Sequence, residues 1–565
     1  MLSSFKTRLG QLKSSRVLIL VLGVQSALIV LRTLHLYVTG FQTSDEVNYI
    51  LDAMVGQPYG ARYFFDYQLA FLFKLFSIDS IARFLVFFPF YLVFWTFSFL
   101  ILAYKTLRMV TQNRRVGDFA IFSLPFAVSY SVLSVGLLTE GPGLAVCMLG
   151  IYAWLRYVKV QARWYYAALS SAAFVAAAFS REPYVIFPVM ASLAWIVLAI
   201  LKRVPLHHTI IFVGIALIIA APNSTFSGSA GALIGLPAIV ASTMQVSTTQ
   251  ISSSTTQVLP APVVFGGWAQ VLTNSVVLFL VGIVLGWGPI LFLVSVVAFI
   301  LIFKIKPRRE IPQLQLFIIL VSLGTFYGAV FTQFYQIHFY LTQGLSNLIR
   351  LTNTALPAYL LLSPVLYEKL SEKRIKLLAV ILITLTAGSA GAYVTVLQTN
   401  FQLPYNVMDF SHQNATLEAR NYLLRYSSAG TPTVVFLLLA WHGGELYLRD
   451  IPGIVIYPSI QNPKYIVEAQ DSNYTEALFI RLHPTTFYVF SESTLSVWNA
   501  SAPLSSNVQQ IMSYQSVFLD KTYGTLFHAD TSSYGRTLYT LESDQIVFSS
   551  PTGHLLKVDV SWSGR

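Results

Sequence analysis

The sequence predicts a polytopic α-helical membrane protein with a C-terminal domain outside the membrane, and three observations predict it. The chain of 565 residues is 55% hydrophobic and only 11% charged, with a mean hydropathy of +0.63, whereas an average soluble domain carries about 25% charged residues. Apolar runs of spanning length recur along the first two thirds of the chain and stop near Thr399. The bases behind the net charge of +12 sit in short clusters between those runs. That is the positive-inside pattern of a membrane protein and not the footprint of a nucleic-acid binder.

The first run, Val17 to Val38, follows Lys6, Arg8, Lys13 and Arg16. It makes about 33 Å of helix and has no small-residue cleavage site, so it reads as a retained anchor with a cytoplasmic N-terminus. Further helices are expected near 81–104, 118–138, 141–158, 164–180, 184–201, 208–222, 287–304, 313–332, 351–367 and 376–397, about eleven in all. This count puts every basic cluster on one side: Lys105/Arg108/Arg114/Arg115, Lys159/Arg163, Lys202/Arg203, Lys304/Lys306/Arg308/Arg309 and Lys369/Lys373/Arg374/Lys376. Residues 270–286 are apolar, but one more crossing would move a basic cluster outside, so they read as interfacial or re-entrant. The N-x-S/T sequons at Asn223, Asn414, Asn473 and Asn499 all fall on the expected outer face, which suits an archaeal or eukaryotic cell surface.

Residues 1–398 therefore form the expected membrane domain, with outer loops at 39–80 and 223–286. The second loop opens on a Ser/Thr-rich stretch, Asn223 to Pro262, either a lid or a flexible segment. Residues 399–565 are expected to fold as an extracytoplasmic α/β or β-rich domain. Its strands are expected at Val434–Leu439, Ile454–Tyr457, Ala477–Leu482, Phe487–Phe490, Gln545–Phe548 and Leu555–Val560, with helices at Thr416–Tyr426 and Ser505–Tyr514. The lone cysteine, Cys147, excludes an intrachain disulfide.

The richest chemistry lies in the first outer loop. Between Phe41 and Phe76 it carries Asp45, Glu46, Asp52, Asp66, Arg62, Lys74 and four tyrosines, Tyr49, Tyr59, Tyr63 and Tyr67. So many ionisable and aromatic groups between apolar runs suit a pocket for a charged lipid headgroup with proton chemistry. Thr43-Ser44-Asp45-Glu46 fits a capping box, with Glu46 reaching back to the N-cap amide. A helix beginning there puts Asp45, Tyr49 and Asp52 on one face, with Glu46 about 100° away. Asp45 is then either a first-turn acid favoured by the helix dipole or a catalytic group. Glu46 is either the cap or a second catalytic acid. Gly56, Pro58 and Gly60 turn the chain afterwards.

An Asp-Glu pair just after the first transmembrane helix, followed by Tyr and a Gly-x-x-Tyr turn, resembles the GT-C glycosyltransferases. The likeness is to the protein O-mannosyltransferase and aminoarabinose-transferase type, and it covers the membrane half of the chain. Where that family often has Pro-Leu later in the loop, this chain reads Tyr67-Gln68-Leu69. The resemblance implies transfer of a sugar, a hexose on this reading, from a polyprenyl- or dolichyl-phosphate donor to an extracytoplasmic acceptor, with inversion. It puts the catalytic base at Asp45. Such transfer needs a base for the acceptor hydroxyl, cationic stabilisation of the departing phosphate and a groove for the lipid.

Glu140, in the Thr139-Glu140-Gly141-Pro142-Gly143 turn, resembles the second outer-loop acid that family members place near the acceptor; otherwise it caps the next helix. Arg350, at the outer end of RLTNTALPAYLLL, resembles the late Arg of GT-C proteins that faces the lipid phosphate. A bidentate guanidinium suits that task, and snorkelling to the interface is the other reading. Arg62 and Lys74 are the further phosphate candidates. Tyr49, Tyr63, Arg181, Glu182 and His338 are candidates for substrate contact, though Arg181 and Glu182 equally read as an internal ion pair and His338 as interfacial. Trp441-His442-Gly443-Gly444-Glu445 reads either as a sugar-stacking turn or as a plain β-turn.

No two tryptophans are adjacent, so the Trp-Trp-Asp motif of oligosaccharyltransferases is missing. Phosphate-loop and HExxH motifs are missing too. An acid cluster can hold Mg²⁺ or Mn²⁺, so a divalent cation stays possible, but the sequence offers no ligand set and no metal site is assigned. The competing class is a non-enzymatic transporter of lipid-linked sugar or polysaccharide. Transporters place charge near the midplane of broken helices, whereas these acids gather at helix ends.

Overall fold

The computed structural model describes residues 16–220 apart from 40–48, 51–52, 55–62, 80, 112, 128–129 and 131–139, residues 289–398 apart from 305–317, 320–321 and 323–351, and then 411–426, 433–439, 448, 451, 454–457, 483–491, 539–550 and 553–562. The chain divides into two compact units. One comprises Met1–Arg32, Gly60–Phe65 and Pro89–Tyr405, the other Thr33–Tyr59, Asp66–Phe88 and Asn406–Arg565.

Helix α1 (Arg16–Thr39) buries Leu18, Val21, Gln25, Ile29 and Arg32, a stripe at helical spacing. Its other faces expose Ile19, Leu20, Val24, Val30, Leu31 and Leu34. A helix apolar all round, with its outward side chains uncovered by protein, is what a bilayer surrounds. Among the described residues, Arg16–Leu34 and Ala82–Val110 are long and apolar enough to cross a membrane. Shorter apolar helices expose Ile200, Leu206, Ile210, Leu217, Ile218 and Leu293 in the same way.

Helix α2 (Tyr63–Leu75) occupies part of what reads in sequence as loop. Its stripe of Phe65, Leu69 and Phe73 is buried, and Phe73 packs on Phe84 and Phe87 at ring-centroid distances of 6.0 and 5.7 Å. Helix α3 (Ile81–Val110) runs six residues past the expected end, carrying Lys105 and Arg108 on its last turns. Cations there are favoured by the helix dipole.

The helix expected over 118–138 is interrupted at 124–127; beyond that only Tyr130 of the span is described, and it is helical. Helix α4 begins earlier, at Arg114, because Asn113 caps it by accepting from the Arg115 N–H at 3.1 Å. It stops at Ser123, where Pro125 turns Leu124–Phe126 into a 3₁₀ turn and Ala127 is extended.

The described helices that follow, all in the first unit, lie within a few residues of their expected places: α5 (Glu140–Lys159), α6 (Trp164–Ser180), α7 (Ile186–Ile200), α8 (Leu206–Ala220), α9 (Pro289–Lys304), α10 (Leu356–Tyr367) and α11 (Glu372–Gln398). Of the span expected over 313–332, only Ile318, Ile319 and Ser322 are described, and all three are helical. Small and hydroxylated residues hold these helices close. A Cβ on Gly150 would stand 2.8 Å from the Phe174 ring, so only glycine lets α5 and α6 approach there. Ser170 donates to the Gly150 carbonyl at 2.9 Å and Ser171 to the Phe212 carbonyl at 2.7 Å. The Tyr359 hydroxyl joins Ser123 of α4 to Tyr367 of α10.

In the second unit, α12 (Ser411–Tyr426) covers a five-stranded sheet of β1 (Thr433–Leu439), β2 (Ile454–Tyr457), β3 (Thr486–Ser491), β4 (Tyr539–Ser550) and β5 (Gly553–Trp562). The order is β2-β1-β3-β5-β4, with β1 parallel to β2 and β3, and β5 antiparallel to β3 and β4. Val435, Tyr488, Phe490 and Leu555 face α12, against Ala419 and Leu423. On the other face Val434, Phe487, Val489 and Val558 are buried as well. The expected segments 223–286, 441–445, 477–482 and 505–514 lie outside the described residues.

Candidate active site

Two residues nominated separately in sequence meet in the structure. Glu140 is the first residue of α5, where a carboxylate is favoured by the helix dipole. Arg181 caps the C-terminal end of α6 in extended conformation, its N–H donating to the Ala177 carbonyl. Because α5 and α6 are consecutive and antiparallel, the start of one lies beside the end of the other. Arg181 Nη1 stands 2.5 Å from Glu140 Oε1, with the side chains 8% and 1% exposed. Arg181 thus pairs with Glu140, 41 residues away in the sequence. Glu182 opens a 3₁₀ turn, Glu182–Val185, set by Pro183.

The turn after Glu140 is built for close packing. A Cβ on Gly143 would lie 2.7 Å from Tyr184 Cε2, so glycine there lets the Tyr184 ring press against α5. Tyr184 is fully buried, stacks on Phe187 at 5.9 Å, and lies within the field of both Glu140 and Arg181. Its hydroxyl has no hydrogen-bond partner among the described residues. Burying such a group unpaired costs roughly 1–3 kcal/mol, and each buried charge costs several more, so the arrangement is not the one stability alone would select. The 3₁₀ turn Thr352–Ala355, which begins two residues after Arg350, also packs against α5, with Thr354 buried.

Of the other sequence candidates, Asp45, Glu46, Arg62, His338 and Arg350 lie outside the described residues. Tyr63 and Glu182 are described in backbone only, as helix and 3₁₀ turn. Tyr49 is helical and buried, at 2% exposure, and Lys74 sits exposed in the last turn of α2. Burial brings out further polar groups, among them Tyr184 and, on the buried stripe of α1, Gln25 and Arg32. The signal of the last two is a polar residue at the 3.6-residue period of an otherwise apolar helix. Asp66, in the first turn of α2, is buried too. Among the described residues no group of three or more His, Cys, Asp or Glu could hold a metal ion.

No family model matches the sequence, and no curated protein matches it. The structure, however, is similar over 96% of its length to 98% of ArnT from Cupriavidus metallidurans, solved bound to undecaprenyl phosphate, with a TM-score of 0.50 and 12% identity. The fold is that of the GT-C glycosyltransferases. A weaker likeness, TM-score 0.42 and 12% identity over 84% of this chain and 69% of the other, is to the oligosaccharyltransferase AglB from Archaeoglobus fulgidus, solved with an inhibitory peptide and a dolichol-phosphate. Among the described residues, Glu140 at the start of α5, Arg181 at the end of α6 and Tyr184 in the 3₁₀ turn that follows form a buried polar cluster.

Proposed function

We propose that the protein transfers a sugar, a hexose, from a polyprenyl- or dolichyl-phosphate donor to an acceptor outside the membrane, with inversion at the anomeric carbon. The observation that carries this reading is the buried Glu140–Arg181 pair at helix ends within a GT-C fold. A buried ion pair can often be exchanged for apolar residues without loss of stability, so its presence favours a functional role. That the ArnT structure holds undecaprenyl phosphate supports a lipid-phosphate donor here as well.

In the proposed reaction Asp45 removes the proton from the acceptor hydroxyl as its oxygen attacks the anomeric carbon. The bond from that carbon to the phosphate oxygen breaks, and the lipid phosphate leaves with the electron pair. Arg350, with Arg62 and Lys74, takes up its charge. Glu140 accepts a hydrogen bond from the acceptor and is aimed by Arg181, while the Tyr184 hydroxyl supplies a further donor. Tyr49, Tyr63, Glu182 and His338 line the substrates' approach, and Glu46 completes the capping box beside the base. About eleven spans, a cytoplasmic N-terminus and the domain from residue 399 onward outside the membrane complete the proposal. Incubating the purified protein with a panel of radiolabelled dolichyl-phosphate sugars tests it: one donor should yield free dolichyl phosphate and a new glycosidic bond. Uptake of donor into vesicles with no new bond would instead make the protein a transporter.

A further inference from the structure

The C-terminal unit carries a polar aromatic patch that the transfer reaction does not use. Tyr422 and Tyr426, one turn apart on α12, bring their rings to a centroid distance of 4.4 Å at 33°. Tyr422 also meets Tyr488 of β3 edge-on at 6.2 Å. Tyr426 is 65% exposed, so an aromatic face stands open to solvent beside a buried aromatic support. The sheet register places Tyr488 opposite Lys557, Lys557 opposite Gln545, and Thr486 opposite Asp559, all on the side that α12 covers. Asp559 Oδ1 receives Thr486 Oγ1 at 2.9 Å and Lys557 Nζ at 3.2 Å, with both charged side chains a third or more exposed. Burial and the neighbouring Tyr426 push the Tyr422 phenol up, and Lys557 opposes them, so ammonium and phenols share one locality.

We infer that this patch is a saccharide-binding site. A pyranose presents C–H bonds from one face and hydroxyls from its rim. The electron-rich face of an exposed phenol suits the first. The rim is served by an ammonium with three donors, one engaged by Asp559, and by the partly exposed Asp559 carboxylate as acceptor. Lys557 and Asp559 cancel in charge, which favours a neutral, hydroxyl-rich ligand over a phosphate or an acidic peptide. The inference takes from the proposed transfer only that sugars are present where this unit lies; the site would hold the glycan part of an acceptor or product.

Saturation-transfer NMR on the full chain in detergent, carrying Asp45→Asn to prevent turnover, tests it with methyl α-mannoside, methyl α-glucoside and their linear trisaccharides as probes. Saturation should pass to the C–H protons of one ring face. Tyr426→Ala and Asp559→Asn should each weaken binding about tenfold or more, while Tyr426→Phe, which keeps the ring, should retain most of it. Absence of binding by every probe, or binding unchanged in Tyr426→Ala, would overturn the inference. So would a vesicle affinity that Tyr426→Ala abolishes while sugar binding persists, which would make the patch a lipid contact. Transfer by the wild-type chain is scored separately, so either reading can fail while the other stands.

Discussion

At the scale of single residues, the Glu140–Arg181 pair separates stability from function. Arg181→Ala leaves a carboxylate that is 1% exposed without its counter-ion, and should destabilise by about 3–5 kcal/mol. The double variant Glu140→Leu/Arg181→Leu removes both charges and should recover most of that loss in thermal unfolding, yet stay poorly active. Recovery of activity together with stability would make the pair structural. The pair also marks a limit of reading residues along a chain. Each member was visible as a charge in an outer turn, but their contact depends on α5 and α6 packing antiparallel. Tyr184 was hidden for a related reason: its burial depends on Gly143, which sequence presents only as part of a helix start.

At the scale of elements, long apolar runs and period-2 strands were legible because each is fixed by local pattern. Helices α1, α5 to α11 and strands β1, β2, β3 and β5 fall close to expectation. What local pattern could not give was α2, whose acids and tyrosines read as loop chemistry although Phe65, Leu69 and Phe73 already had helical spacing. The break in α4 follows from Pro125, a signal outweighed by the hydrophobicity around it. Side-chain bonds between elements can be ranked by burial. Tyr359, fully buried, serves both Ser123 and Tyr367, so Tyr359→Phe should cost about 1–3 kcal/mol and lower the melting temperature in detergent while leaving donor KM unchanged. Arg115 and Glu372 meet at 2.6 Å but are 75% and 55% exposed, so Arg115→Ala should change stability by less than about 1 kcal/mol. An equal loss from both substitutions would show that burial does not set their ranking.

At the scale of the whole molecule, membrane character was legible in composition, and the described helices that are apolar toward both protein and surroundings agree with it. The orientation rests on the basic clusters and sequons. It predicts that Asn473 is glycosylated and a tag at Arg565 reachable from outside, while a tag at Met1 is protected in intact cells; protease access to Met1 from outside would reverse it. The central claim is that the molecule is a transferase whose base is Asp45, and one comparison tests it most directly: turnover of the labelled lipid donor by the wild type, Asp45→Asn and Glu46→Gln. Asp45→Asn should fold and bind donor yet turn over about 10²–10⁴-fold more slowly, the usual contribution of a positioned general base, whereas Glu46→Gln, which still satisfies a capping box, should lose far less. Full activity in both variants would contradict the account, and a dead Glu46→Gln beside an active Asp45→Asn would move the base to Glu46.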